Sequence, residues 1–300
     1  MESVLVLIAP GEGEPLEEVI VASVRDSLKR QGAGLGAMRW LAPGRACEWP
    51  FSGIAPAAAA RAAGATLDQR RIDAAALSAE GRRKKLLVAD MDSTIVAGET
   101  LDDLAAFAGV KDRVAAITAR AMNGEIDYKS SLRERVALLK GLGADCLEKT
   151  FAHTRLNPGA ETLVATMRAH GAHTFLVSSG FRYFTSRIAA RAGFDAETGN
   201  EIEIAGGRLT GRVAEPILDK EAKRAALLGA AARFGVAPSE AIAVGDGAND
   251  LPMILEAGIG VAYRPKPSVA AAAPVAVRHA DLTALLYVQG YARDEFTEPS

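Results

Sequence analysis

The sequence predicts an α/β fold: a doubly wound, mainly parallel sheet with a helical cap insertion, preceded by a small N-terminal α+β domain. Three observations carry this. From Lys85 onward short apolar runs alternate with helical stretches, as in a sheet covered on both faces. Between Gly98 and about Asn157 the strand signal stops and helical spacing replaces it. Before residue 81 the pattern is a lone apolar strand, a helix and short strand candidates. The expected boundaries are 1–80 for the N-terminal domain and linker, 81–98 and 157–300 for the core, and 99–156 for the cap.

Val4-Leu5-Val6-Leu7-Ile8 reads as a buried strand. From Leu16 to Leu28 the residues Val19, Ile20, Val24 and Leu28 share a helical face, and Gly32 and Gly34 end the helix. Ala37 to Leu41 and Ala46 to Trp49 are further strand candidates. Ala57 to Ala63 suits a helix or a connector. Arg82-Arg83-Lys84-Lys85 reads as a solvated strand entrance. Core strands are expected at Leu86–Asp90, Thr174–Ser178, Ala241–Gly245 and Ile259–Ala262. Core helices are expected at Gly159–His170, Phe181–Ala192, Lys220–Phe234 and Leu282–Gln289. Residues 201–210 read as a hairpin around Gly206-Gly207. In the cap, Leu101, Leu104, Ala105 and Ala108 have helical spacing, as do Leu132, Val136, Leu139 and Leu142. An insertion at this rim would lie over the site as a lid.

Composition narrows the functional classes. A hydrophobic content of 49% and a charged content of 24% describe a soluble globular chain. A net charge of −2 gives no footprint for nucleic acid or an anionic membrane. The two cysteines, Cys47 and Cys146, lie far apart, as expected in a reducing cytoplasm. The apolar run from Val4 to Ala9 is too short for a signal core and lacks a basic flank. No apolar stretch approaches a membrane span of roughly 20 residues.

Asp90-Met91-Asp92-Ser93-Thr94 directly follows an apolar strand. If strand geometry persists, Asp90 and Asp92 point the same way. Two carboxylates so close repel unless a proton or cation lies between them, and a hard divalent ion, most simply Mg²⁺, resolves this. Sheets of this kind bind ligands beyond the carboxyl ends of their strands. That rule brings Asp90, Ser178 and Asp246 to one rim. Val177-Ser178-Ser179-Gly180 offers hydroxyls and N–H groups before a helix, a phosphate cradle or an ordinary capped helix start. Lys223 alone reads as a surface charge. Gly245-Asp246-Gly247-Ala248-Asn249-Asp250 is more specific, with glycines for close approach and two aspartates four apart.

In this order and spacing the four elements resemble the haloacid-dehalogenase-like phosphatase superfamily, over about two-thirds of the chain. Asp-Met-Asp-Ser-Thr-Ile-Val with Glu99 downstream resembles its phosphoserine-hydrolysing branch, although most relatives carry Gly where Ser93 stands. Residues 121–128 and 131–136 resemble the cap pattern of that branch. The resemblance implies Asp90 as nucleophile and Asp92 as acid and then base. It implies Mg²⁺ held by the Asp90 carboxylate, the Asp92 backbone carbonyl and Asp246, with Asp250 orienting metal-bound water. Ser178, Lys223 and N–H groups near Ser179 and Gly180 would bind phosphate, and Thr94 and Asn249 would help position it. Glu99 would take the substrate ammonium and Arg135 its carboxylate, with Met122 and Tyr128 as a lid wall. Tyr128 stands where phenylalanine is common, and Ser179 where glycine is frequent. The N-terminal domain resembles a degenerate amino-acid-binding unit of the ACT type, which implies a homodimer. The rivals are a phosphotransferase or a phosphatase for another small phosphomonoester, and a non-catalytic amino-acid sensor. The intact set Asp90, Asp92, Lys223 and Asp246 argues against the sensor.

Overall fold

The computed structural model describes the chain except positions 1, 12, 69, 123, 124, 299 and 300 and the side chains at 122 and 220. In chain order the strands are β1 (Ser3–Ile8), β2 (Gly34–Leu35), β3 (Arg39–Ala42), β4 (Ala46–Ser52), β5 (Asp73–Ser78), β6 (Leu86–Asp90), β7 (His173–Phe181), β8 (Ala196–Asn200), β9 (Ile202–Ala205), β10 (Arg208–Val213), β11 (Ala241–Gly245), β12 (Ile259–Tyr263) and β13 (Val275–Val277). The helices are α1 (Glu18–Arg30), α2 (Pro56–Thr66), α3 (Thr100–Phe107), α4 (Lys111–Met122), α5 (Tyr128–Ala137), α6 (Asp145–His153), α7 (Ala160–Ala169), α8 (Arg182–Ala192), α9 (Lys220–Phe234), α10 (Leu251–Glu256), α11 (Pro267–Ala272) and α12 (Ala284–Val288).

The core is a six-stranded parallel sheet in the order β13-β12-β11-β6-β7-β8. Its central strands read as continuous apolar runs because both faces are covered. β6, β11 and β12 are buried along their whole length. β6 lies mid-sheet between β11 and β7, where the order of connection reverses and ligands of such sheets bind. Sequence reading missed β8 and β13. Ala196-Glu197-Thr198-Gly199-Asn200 carries almost no apolar signal, and Val275–Val277 is only three residues long. Both are edge strands, where the two-faced burial that marks a parallel strand is relaxed.

Four helices, α3 to α6, follow β6 before the chain returns to the core at α7. The hairpin β9–β10 joins them. Leu209 N–H donates to Leu142 O, Gly141 N–H to Leu209 O and Ala144 N–H to Gly207 O, each at 2.9 Å. At Gly211, with φ +80°, a Cβ would meet Ala137 and Lys140, so glycine lets the hairpin lie flat on α5. The hairpin, read from sequence as part of the core, therefore forms one wall of the cap.

The N-terminal unit runs β-α-β-β-β-α-β with the sheet path β2-β4-β1-β5, a ferredoxin-like arrangement in which β3 also pairs with β4. Ala57 to Ala63 is helix, within α2. β1 is buried on both faces for a specific reason. Val4, Val6 and Ile8 belong to the apolar cluster that continues into the core, with Leu282, Leu285 and Tyr287. Leu5, Leu7 and Ala9 pack under α1 and α2 with Trp49 and Phe51.

Polar bonds lock this seam. The buried Asp73 carboxylate accepts from the N–H groups of Arg278, His279 and Ala280 at 2.8, 3.0 and 2.9 Å. Buried Glu48 pairs with Arg39 at 2.7 Å and Arg82 at 2.5 Å. The basic run is thus a clasp as much as a solvated entrance: the partly buried Arg82 pairs with Glu48, and Lys85 pairs with Glu240 at 2.6 Å. Among the described residues no helix is long and apolar enough to cross a membrane.

Candidate active site

Asp90 ends β6 and is buried. Its Oδ1 lies 2.6 Å from Lys223 Nζ, which also donates to Asp250 Oδ1 at 2.5 Å. α9 presents this lysine; its start is capped by Asp219, whose Oδ1 accepts from Glu221 N and Ala222 N. Carboxylate oxygens of Asp90, Asp246 and Asp250 all lie within 4.8 Å of one another. Burial, and then the charge of Asp250, push the Asp90 carboxyl well above its ordinary value, against the pull of Lys223. The same two causes move Asp246 up to about 6. Burial alone would favour neutral Lys223, but Asp250 and Asp90 outweigh it and hold the ammonium charged. Three carboxylates thus face one cation. The remaining negative charge and the all-oxygen donors fit a hard divalent ion.

Strand alternation does not carry Asp92, because β6 stops at Asp90 and Met91–Ile95 form a tight turn. The Asp92 carboxylate lies outside the group of three. Its Oδ1 accepts from Thr100 N at 2.8 Å, and its Oδ2 from Ser178 Oγ at 3.3 Å. Desolvation raises its pKa, while the Thr100 hydrogen bonds oppose the shift. Ser93 has φ 55°, the left-handed region where glycine is at ease. This gives a physical reason for the glycine that the resemblance led one to expect at this position. Here the Ser93 hydroxyl donates to Glu99 Oε1 at 2.7 Å. Thr94 is buried with its Oγ1 unpartnered among the described residues, and its carbonyl accepts from Asn157 Nδ2 at 2.7 Å.

β7 continues through Ser178 to Phe181, three residues past the expected end. Gly180 N–H donates to Ser178 Oγ at 2.8 Å. A Cβ on Gly180 would stand 2.9 Å from Asp92 Oδ2, so the site needs glycine there. The Ser179 carbonyl accepts from Tyr128 Oη at 3.0 Å and from Asn200 Nδ2 at 2.7 Å. In the acidic loop Gly247 N–H donates to Asp250 Oδ2 at 3.0 Å. A Cβ on Gly245 would overlap the Asp250 side chain, and one on Gly247 would meet Asn249 Oδ1.

From the cap, α5 contributes Tyr128 and Arg135, seven residues apart and so on one face. Arg135 Nε donates to Ser131 O at 3.3 Å, and no described carboxylate pairs with it. Glu99 stands just before α3. It is exposed, yet crowded by neighbouring atoms. That desolvation, then the charges of Asp92 and Asp246, push it up to about 7. Lys129–Asp219 at 3.0 Å and Arg133–Glu215 at 2.6 Å tie α5 to the approach to α9. The Met122 side chain lies outside the described residues. Sequence reading did not single out Asn157 or Asn200. Each binds main-chain carbonyls behind the site, and Asn200 Oδ1 accepts from Leu218 N. Asn157-Pro158-Gly159 was a turn signal for the first; the second ends a strand with no apolar pattern.

A family model of haloacid dehalogenase-like hydrolases matches residues 87–255. The chain belongs to that family. A phosphoserine phosphatase of Streptomyces coelicolor is 39% identical over 287 residues, covering 94% of this chain and 70% of the relative. A phosphoserine phosphatase of Polaromonas sp. is 48% identical over 208 residues, covering 67% of this chain and 88% of the relative. The unliganded crystal structure of a protein described as a probable phosphoserine phosphatase, from Vibrio cholerae, superposes with a TM-score of 0.80 at 32% identity. It matches 98% of this chain and 88% of that one, so the likeness includes the N-terminal unit. With such relatives, this family member is a phosphoric monoester hydrolase.

Proposed function

We propose that the chain hydrolyses O-phospho-L-serine to L-serine and phosphate, the last step of serine biosynthesis, in the cytoplasm. The observation that carries this is a buried strand-end aspartate held by Lys223 within a carboxylate cluster, beneath a cap helix that brings Arg135, which has no carboxylate partner among the described residues. The names of the relatives above support the substrate.

Asp90 Oδ attacks phosphorus, and the P–O bond to the serine oxygen breaks as the aspartyl-phosphate forms. The leaving oxygen takes a proton from Asp92, whose raised pKa suits an acid. Asp92 then removes a proton from the attacking water, and phosphate is released as the Asp90 carboxylate is restored. Lys223, Ser178 and the Gly180 N–H hold phosphate oxygens, with Thr94 and Asn249 beside them. Asp90, Asp246 and the Asp92 carbonyl would hold Mg²⁺, with Asp250 alongside, and the ion supplies positive charge against the phosphate oxygens. Glu99 takes the ammonium and Arg135 the carboxylate; Tyr128, with Met122, closes the wall. Among the described residues β2 and β3 pair with β4 alone, and we assign a homodimer to their outer edge.

The test is phosphate release from L-phosphoserine and from an aryl phosphate, in wild type and Arg135→Ala. L-phosphoserine should be preferred, and chelation should stop turnover until Mg²⁺ is restored. Arg135→Ala should lower kcat/KM about 100-fold for phosphoserine, as expected for a lost charge-assisted pair, and far less for the aryl ester. Equal losses on both esters, or transfer of the phosphoryl group to alcohols in place of water, would contradict the reading.

A further inference from the structure

A cavity of about 440 Å³ opens at the seam between the N-terminal unit and the core. Its wall on one side is Ala42, Pro43 and Arg45; on the other stand Thr162, Asp281, Tyr287, Arg293 and Phe296. None of these residues belongs to the candidate active site. Its size is within the range of small-molecule sites.

The charges facing the cavity do not cancel. Arg45 Nη2 bridges the seam to Asp281 Oδ2 at 2.9 Å. The other Asp281 oxygen accepts from the Thr283 N–H at 2.9 Å and from the Thr283 hydroxyl. Asp281 is therefore neutralised where it stands. Among the described residues Arg293 pairs at 2.9 Å with Glu298, whose side chain is 70% exposed, and its guanidinium lies 5.1 Å from the Phe296 ring centroid. An ion pair so open to water contributes little and breaks cheaply. One positive charge thus remains free to turn toward the cavity. The Thr162 hydroxyl, in the first turn of α7, has no partner among the described residues. Pro43 and the Phe296 ring supply apolar walls.

We propose that this cavity binds a small monocarboxylate. Its carboxylate would take the Arg293 fork and the Thr162 hydroxyl, with its apolar body against Phe296 and Pro43. A single negative charge matches the single surplus positive one, whereas dianionic phosphate would bring a second negative charge with no cation to meet it.

The experiment is calorimetric titration of the full chain with acetate, lactate, pyruvate, glycine and inorganic phosphate at constant ionic strength. It compares wild type, Arg293→Gln and Arg135→Ala. At least one carboxylate should bind wild type and Arg135→Ala alike, and bind Arg293→Gln about tenfold more weakly, the loss expected for one charge-assisted contact. Arg293 is half exposed, so circular dichroism and the unliganded melting point of Arg293→Gln should match wild type. No carboxylate binding, binding unchanged in Arg293→Gln, or binding lost in Arg135→Ala would overturn the proposal. So would a phosphate site that only Arg293→Gln removes.

Discussion

A serine in left-handed backbone costs about 1 kcal/mol relative to glycine. Ser93 carries that strain beside the reacting carboxylates, and its hydroxyl fixes Glu99 at 2.7 Å. Glu99 in turn is held at about 7, above its ordinary 4.5, by desolvation and the charges of Asp92 and Asp246. The sign follows directly. A carboxyl whose folded pKa is raised binds more protons folded than unfolded between the two values. Stability therefore falls as pH rises from 4.5 to 7, and the full penalty applies above 7. Glu99→Gln should stabilise the chain at pH 8 by at most about 1 kcal/mol, given solvent screening. The gain should vanish at pH 4, while KM for phosphoserine rises. Urea unfolding at the two pH values, with steady-state kinetics, checks this. At this scale the carboxylates and the glycine loop were legible, because each lies in a short motif at a strand end; Lys223, inside α9, read alone as a surface charge and was singled out only through the resemblance. Asn157 and Asn200 were not, because their partners are backbone carbonyls distant in sequence or unmarked by pattern.

α5 is the element to which the proposed selectivity belongs. It places Tyr128 against the Ser179 carbonyl and leaves Arg135 with no carboxylate partner among the described residues, while two ion pairs and the β9–β10 hairpin hold its flank. Its apolar spacing was readable; its contact with the hairpin was not, since main-chain bonds between distant segments leave no periodic trace. The same blindness applies to β5. Asp73 at its start accepts three N–H groups from the residues just after β13 and is buried. Asp73→Ala should strand those donors and destabilise the chain by about 2–4 kcal/mol, with Asp73→Asn losing less. Denaturant midpoints compare the two; equal and negligible losses would show that these bonds do not hold the seam.

Across the whole molecule the N-terminal unit is welded to the catalytic core. The apolar cluster of Val4, Val6 and Ile8 continues into Leu282, Leu285 and Tyr287. Removing residues 1–80 would bare that surface, so the remaining chain should aggregate or lose activity on expression. A soluble, fully active truncated protein in size-exclusion and turnover assays would contradict this. The N-terminal unit was half visible from residues 1–52, and its second half was hidden by alanine-rich sequence. The core was legible because parallel strands buried on both faces leave continuous apolar runs.

The most direct measurement is rapid acid quenching of the chain with L-phosphoserine carrying labelled phosphate, followed by mass mapping of the label. The account predicts an acid-stable, base-labile phosphoryl group on Asp90 that Asp90→Asn abolishes. Turnover with no labelled protein, or label on any other residue, would contradict it.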